Sequence, residues 1–261
     1  MLIGLASLNQ SWEDKSENLA ACERIAQVSR VQGLDLLIFP EMTLTGFSNN
    51  ISRIAEKNDS SPTVQSFKNL AKQNCVGIIF GVVFEESKKA SNNAIFLDKT
   101  GQILGTYKKI HPFSLSGENK FYVSGNLLKI VEFDSFSIGL TICYDLRFPE
   151  LYSSLGTHSE LVVNIASWPS QRLDHWTTLL KARAIENQIF MVGVNRIGSD
   201  GNGQHYMKSS MIINPNGIKL EPLHSEDELD VFDLDISTLT DFKSRFSTTQ
   251  DRKPEFYKSI L

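Results

Sequence analysis

Apolar and polar positions alternate along this chain in blocks that read as strands and helices in turn. The opening run LIGLASL predicts a buried strand, and Asp14 three residues ahead of Glu17 is a capping-box pattern for a helix facing inward through Leu19, Ile25 and Val28. A second strand over 34–39 runs directly into Pro40 and Glu41. A helix over 63–73 places Val64, Phe67 and Leu70 on one face, the runs VGIIFGVVF and NNAIFLD read as strands, and DKTG at 98–101 is a hairpin turn. The following strand ends in Tyr107-Lys108-Lys109, and a polar, turn-prone segment through Gly125 carries Glu118. FSIGLTI at 136–142 is a strand with Cys143 immediately after it, and RFPELYSSLG opens a helix. ELVVNIAS is another buried strand, 173–187 is helical, and IFMVGVN, MIINPNG and ELDVFDLD complete the strand set. Strands joined both by hairpins and by helical crossovers predict an α/β protein with mixed sheets covered by helices, and two sheets stacked as a sandwich accommodate this many strands.

Composition narrows the picture. With 261 residues, 41% of them hydrophobic and 21% charged, the chain can bury a large core. No Pro/Gly/Ser-rich linker or fixed-period repeat marks a seam, so a single domain over 1–261 is expected. The 26 basic against 30 acidic residues give a net charge of −4, with no basic block, which argues against nucleic acid as a partner. MLIGLASLNQ lacks the basic flank and length of a signal peptide and no run approaches a membrane span, so a soluble cytoplasmic protein without a membrane partner is expected. Three cysteines, Cys22, Cys75 and Cys143, fit neither a disulfide framework nor a metal-ligand spacing. Cys22 and Cys75 fall on helical patterns and read as core, whereas Cys143 reads as either core or nucleophile.

Glu41, Lys109 and Cys143 each follow an apolar strand at its C-terminal end, and the ends of separate strands in one sheet share an edge, so the three are expected to converge. A thiol is mostly protonated at neutral pH, and nucleophilic attack needs a base to take its proton and a cation to favour the developing negative charge. Glu41 and Lys109 are the candidates, one for each task. Cys143 also precedes a predicted helix, whose unpaired first N–H groups favour an anion. A Cys–His pairing would have to draw on His111, His158, His175, His205 or His224, none of which has a distinguishing spacing.

PEMTLTGF at 40–47, YKKIHPF at 107–113 and CYDLRFPE at 143–150 resemble, in order and approximate spacing, the glutamate, lysine and cysteine motifs of the nitrilase (carbon–nitrogen hydrolase) superfamily. NIASWPSQRLDHWTTLLKARAIENQ at 164–188 and NRIGSDGNGQHY at 195–206 are similar to its bacterial omega-amidase-like branch, and the likeness runs nearly end to end. The resemblance implies a four-layer α-β-β-α sandwich with two mixed sheets between helix layers. It also implies Glu41 as general base, Lys109 rather than Lys108 as catalytic lysine, Cys143 as nucleophile and Glu118 as the second glutamate. The implied reaction is thiol-dependent hydrolysis of a small carboxamide with release of ammonia, without metal or organic cofactor, on a short dicarboxylic monoamide such as the omega-amide of a 2-oxo acid. The same catalytic set would serve another amide, a carbamoyl group or a nitrile, and a catalytically silent binding protein is the non-enzymatic alternative. Arg147 is either the reader of the substrate carboxylate or a structural ion pair. Trp168, Phe113 and Tyr144 are either pocket wall or core, core being favoured for Trp168, and Tyr144 is expected to contribute its backbone N–H. Pro112 departs from the leucine usual there and is expected to reshape the loop leading to Glu118. Family members commonly pair through a helix near the cysteine motif, so a homodimer is expected.

Overall fold

Runs of Leu, Ile and Val with both faces apolar must be covered on both sides, and the strands of this chain achieve this by stacking two sheets inside two helix layers. The computed structural model describes residues 1–260. Its first half comprises β1 (Leu2–Ala6), α1 (Lys15–Gln32), β2 (Leu36–Ile38), α2 (Ile51–Ile54), α3 (Pro62–Asn74), β3 (Gly77–Glu86), β4 (Lys89–Leu97), β5 (Ile103–Lys108) and α4 (Glu118–Phe121). Then follow β6 (Ile130–Phe133), β7 (Phe136–Ile142), α5 (Pro149–Leu155), β8 (Leu161–Ala166), α6 (Leu173–Asn187) and β9 (Phe190–Asn195). The chain continues through β10 (Gly198–Ser199), β11 (His205–Tyr206), β12 (Met211–Ile213), β13 (His224–Ser225), β14 (Leu229–Asp233), α7 (Ile236–Arg245) and α8 (Pro254–Ile260).

One sheet has seven strands in the order β13-β14-β1-β2-β3-β4-β5, the other five in the order β12-β9-β8-β7-β6, and β10 pairs β11 as a separate hairpin. Parallel β1, β2 and β3 are flanked by antiparallel partners, as are parallel β7, β8 and β9, so both sheets are mixed. Ile3, Leu5, Ile38, Ile79 and Phe96 of the first sheet pack face to face with Ile138, Leu140, Val163 and Val192 of the second. On the outer face of the first sheet, Leu37, Ile78 and Phe80 meet Cys22 and Ile25 of α1 and Phe67 and Leu70 of α3. The outer face of the second sheet meets Leu151 and Leu155 of α5 and Trp176 and Leu180 of α6. This is the four-layer α-β-β-α arrangement. Burying each such Leu, Ile or Phe contributes about 1.5–3 kcal/mol, which is what fixes the sheets against each other.

Several local expectations shift. The strand expected over 34–39 is confined to Leu36–Ile38. The capping box is only half formed: Asp14 accepts from the Ser16 and Glu17 N–H groups, but its own N–H bonds to the Ser11 carbonyl instead of to Glu17. Cys22 is buried as expected, whereas Cys75 is exposed, because α3 ends there in a left-handed C-cap at φ 53° that turns the side chain outward. Cys143 does not begin an α-helix; residues Cys143–Arg147 form a 3₁₀ turn, and α5 starts only at Pro149, a residue suited to a first helical turn.

Candidate active site

Glu41 follows β2 through Phe39 and Pro40 in a tight turn where Met42 takes φ 46°. Strand β3 runs so close to this turn that a Cβ on Gly81 would lie 2.3 Å from the Met42 nitrogen, so glycine there is what lets the carboxylate sit inside the sheet edge. Lys109 is the residue after β5, and β5 lies in the same sheet as β2. Cys143 follows β7 in the other sheet. The three therefore do converge, but not along the edge of one sheet as strand order alone suggested; Cys143 meets the other two across the sandwich.

Lys109 Nζ donates to Glu41 Oε1 at 3.0 Å and to Glu118 Oε1 and Oε2 at 3.1 and 2.9 Å. Asn92 Nδ2, from β4, bridges both carboxylates at 2.7 Å to Glu41 and 3.3 Å to Glu118. Ser167 N–H donates to Glu41 Oε2 at 2.9 Å, while the Ser167 carbonyl faces Cys143 Sγ at 3.9 Å, so one residue touches both the carboxylate and the thiol. Glu41, Glu118 and Lys109 are at most 1% exposed, which makes these charge-assisted bonds strong and fixed. Pro112 does not displace Glu118: the next residue, Phe113, donates its N–H to Glu118 Oε2 at 2.5 Å.

The cluster opens into a cavity of about 500 Å³ walled by Phe47, Phe113, Tyr144 and Trp168, with Lys109, Cys143 and Ser167 on its polar side. Trp168 answers both readings, being packed among Leu146 and Trp176 at 3% exposure while presenting a surface to the cavity. The Arg147 guanidinium lies 4.9 Å from the Trp168 ring centre and shares a hydrogen bond with His175 Nδ1 at 3.2 Å. The ion-pair alternative for Arg147 has no support, since among the described residues no carboxylate lies within 4.0 Å of it. Sequence reasoning missed Asn92, Ser167 and Phe47; an asparagine inside the apolar run NNAIFLD was the one visible signal, because a buried amide needs partners. It also missed Arg172, which lines the same cavity with its guanidinium 5.6 Å from the Phe113 ring centre.

Comparison with known proteins places this geometry. The carbon–nitrogen hydrolase profile matches residues 2–243. The chain belongs to the carbon–nitrogen hydrolase family. The omega-amidase YafV of Escherichia coli K12 is 35% identical over 242 residues, 92% of either chain. A 2-oxoglutaramate amidase of Bacillus subtilis is 32% identical over 251 residues, 95% of either chain. The crystal structure of XC1258 from Xanthomonas campestris, a CN-hydrolase superfamily protein with an arsenic adduct in its active site, superimposes with a TM-score of 0.90 at 29% identity over 97% of each chain.

In this carbon–nitrogen hydrolase the electrostatics follow from burial. Burial, and then the charge of Glu41, push the Cys143 thiol well above its ordinary range, so the resting sulfur is protonated. Burial alone would lower the lysine, but Glu118 and Glu41 outweigh it and hold the Lys109 ammonium well above the usual lysine range. Cys143 itself sits at φ 47°, a left-handed conformation that non-glycine residues adopt at a cost, and a polar tie holds it there. Fully buried Asp145 accepts from Ile142 N–H at 3.0 Å and Tyr107 O–H at 2.8 Å through Oδ2. Its Oδ1 accepts from His111 N–H at 3.0 Å and faces His111 Nδ1 at 2.8 Å. Tyr107 and His111 flank Lys109, so one carboxylate ties the lysine segment of the first sheet to the cysteine turn of the second. Among the described residues the hydrolase has no cluster of three or more His, Cys, Asp or Glu side chains able to hold a metal ion, and no helix long and apolar enough to cross a membrane.

Proposed function

We propose that the chain is a thiol-dependent amidohydrolase that removes ammonia from the omega-amide of a short 2-oxo dicarboxylic acid, with a 2-oxoglutaramate-like substrate. The observation that carries this reading is a single cavity lined by Cys143, by Lys109 with the buried Glu41 and Glu118 paired behind it, and by Arg147, which among the described residues has no carboxylate partner. The names of the E. coli and B. subtilis relatives support the same substrate class.

In this mechanism Glu41 takes the thiol proton as Cys143 Sγ attacks the amide carbonyl. Lys109 and the Tyr144 backbone N–H hold the tetrahedral oxyanion, and Glu118 orients the amide. Glu41 returns its proton to the leaving nitrogen, so ammonia departs and a thioester remains on Cys143. Glu41 then deprotonates water, which attacks the thioester; the carboxylic acid leaves and Sγ regains its proton. Arg147 reads the free carboxylate, a task for which a planar guanidinium fork is suited, while Trp168, Phe113 and Tyr144 form the apolar wall. No metal or organic cofactor enters any step.

The pairing of β1 with β14, near opposite ends of the sequence, supports treating 1–261 as a single domain. Exposed Phe256, Tyr257 and Ile260 on α8 support assembly as a homodimer, which sedimentation velocity reads directly. The proposed protein is cytoplasmic and engages neither nucleic acid nor membrane: the acidic net charge supports the absence of a nucleic-acid partner, and among the described residues no helix is long and apolar enough to cross a membrane. Ammonia release from purified protein across omega-amides of dicarboxylic acids, simple amides, N-carbamoyl compounds and nitriles tests the activity. Omega-monoamides are expected to be cleaved best, Cys143→Ala to be inactive, and Lys109→Ala to lose on the order of 10²–10³ in rate while folded. Preference for a nitrile or carbamoyl compound, or no turnover at all, would reject the reading.

A further inference from the structure

The cavity holds a second cation that the mechanism leaves unused. Arg172 ends the short 3₁₀ turn before α6, and its carbonyl accepts the Trp168 indole N–H at 2.8 Å, which fixes its backbone to the cavity wall. Its guanidinium lies over Phe113 as that of Arg147 lies over Trp168, and Phe113 in turn packs against Tyr144 at 4.8 Å between ring centres. Both arginines are half-buried, and among the described residues neither has a carboxylate within 4.0 Å. Asp200, the acidic residue on the cavity rim, is already engaged by Tyr206 O–H at 2.8 Å and by the N–H groups of Asn202 and Gln204 at 2.9 and 3.0 Å.

A guanidinium resting on an aromatic ring keeps its charge and its in-plane N–H donors while shedding part of its hydration. Two such groups lining one cavity, neither with a carboxylate within 4.0 Å among the described residues, therefore form a site for an anion. We propose that Arg172 is a specificity-determining residue which, together with Arg147, forms a two-guanidinium subsite for the carboxylate end of the substrate. The proposal rests on the amidase reading of the Cys143 end of the cavity. Because that end takes the amide, the subsite selects monoamides carrying a carboxylate at the far end. It disfavours neutral amides of the same length, and it offers no free carboxylate to a substrate ammonium group.

The test uses Arg172→Gln, which keeps a polar side chain and removes the charge, and two probes that separate the subsite from the activity. The first is succinate as a protecting ligand against iodoacetamide alkylation of Cys143, followed by peptide mass spectrometry, which needs no turnover. Succinate is expected to protect the native protein, and the concentration giving half-protection is expected to rise about tenfold in the variant, as lost charge pairing implies. The second is the ratio of kcat/KM for succinamate to that for butyramide, expected to fall about tenfold, chiefly through the KM for succinamate. Absence of protection in the native protein, the same half-protection in the variant, or an equal loss on both amides would overturn the subsite. Succinate protection that depends on Arg172 in a protein that cleaves neither amide would keep the subsite and reject the amidase reading instead.

Discussion

At the scale of single residues, the chemistry turns on a sulfur that is neither exposed nor pre-ionised. Cysteine nucleophiles paired with a cationic partner rest as thiolates because the cation lowers the thiol pKa. Cys143 sits in the opposite field: burial and the Glu41 charge outweigh Lys109 and raise the thiol. The neutral thiol therefore prevails through the physiological range, and its ionised fraction grows tenfold with each pH unit. The logarithm of the rate of Cys143 alkylation by iodoacetamide should accordingly keep rising between about pH 6 and about pH 9, with no plateau at the acid end. A plateau below about pH 7 would mean a stable thiolate and a different division of labour between Glu41 and Lys109. Glu41, Lys109 and Cys143 stand directly after apolar strands, which marked them as candidates, and the resemblance of the stretches around them to the family's three motifs singled them out. Asn92 and Ser167 were not legible, since what makes them part of the site is where neighbouring strands place them: Asn92 reaches two carboxylates from the middle of β4, and Ser167 contributes backbone atoms that any residue carries.

Among the elements, the decisive fact is which strand ends face each other. The periodicity of apolar residues located β1, β3, β7, β8 and β9 and the helices α1, α3 and α6, yet it could not say that β5 and β7 belong to different sheets. Strand pairing and sheet stacking are long-range choices made by the whole core, so the expected common edge became a junction between two sheets. Asp145 is the polar group that makes the junction exact, joining Tyr107 and His111 around Lys109 to the Ile142–Cys143 turn. Asp145→Asn replaces one acceptor by a donor aimed at groups that are already donors, an arrangement that costs about 1–3 kcal/mol per unsatisfied group. Its expected effect is positional: kcat falls by about tenfold or more while KM for the amide moves by less than about threefold, as small displacements of reacting groups imply. Tyr107→Phe, which removes one of the bonds and no charge, should lie between native and Asp145→Asn. Kinetics run beside a thermal melt check this; a native kcat in Asp145→Asn would show the tie to be dispensable.

For the molecule as a whole, two sheets meeting face to face and sealed outside by α1, α3, α5 and α6 form a rigid frame. The site lies where strands of both sheets end. Such a frame holds three charged side chains and a strained cysteine at fixed separations, and leaves specificity to the turns around the cavity. That division explains why the layered fold could be expected from the chain and why Trp168, Phe113 and Tyr144 could be named only as either wall or core, while Arg172 and Phe47 emerged from the folded arrangement. The central claim is that Cys143 carries the acyl group in turnover. Native protein mixed with an omega-monoamide, quenched in acid within the first turnovers and mapped by peptide mass spectrometry, should show one acyl group on the peptide containing Cys143 and none in Cys143→Ala. Ammonia release without any acylated peptide, or an acyl group on Cys22 or Cys75 instead, would contradict the account.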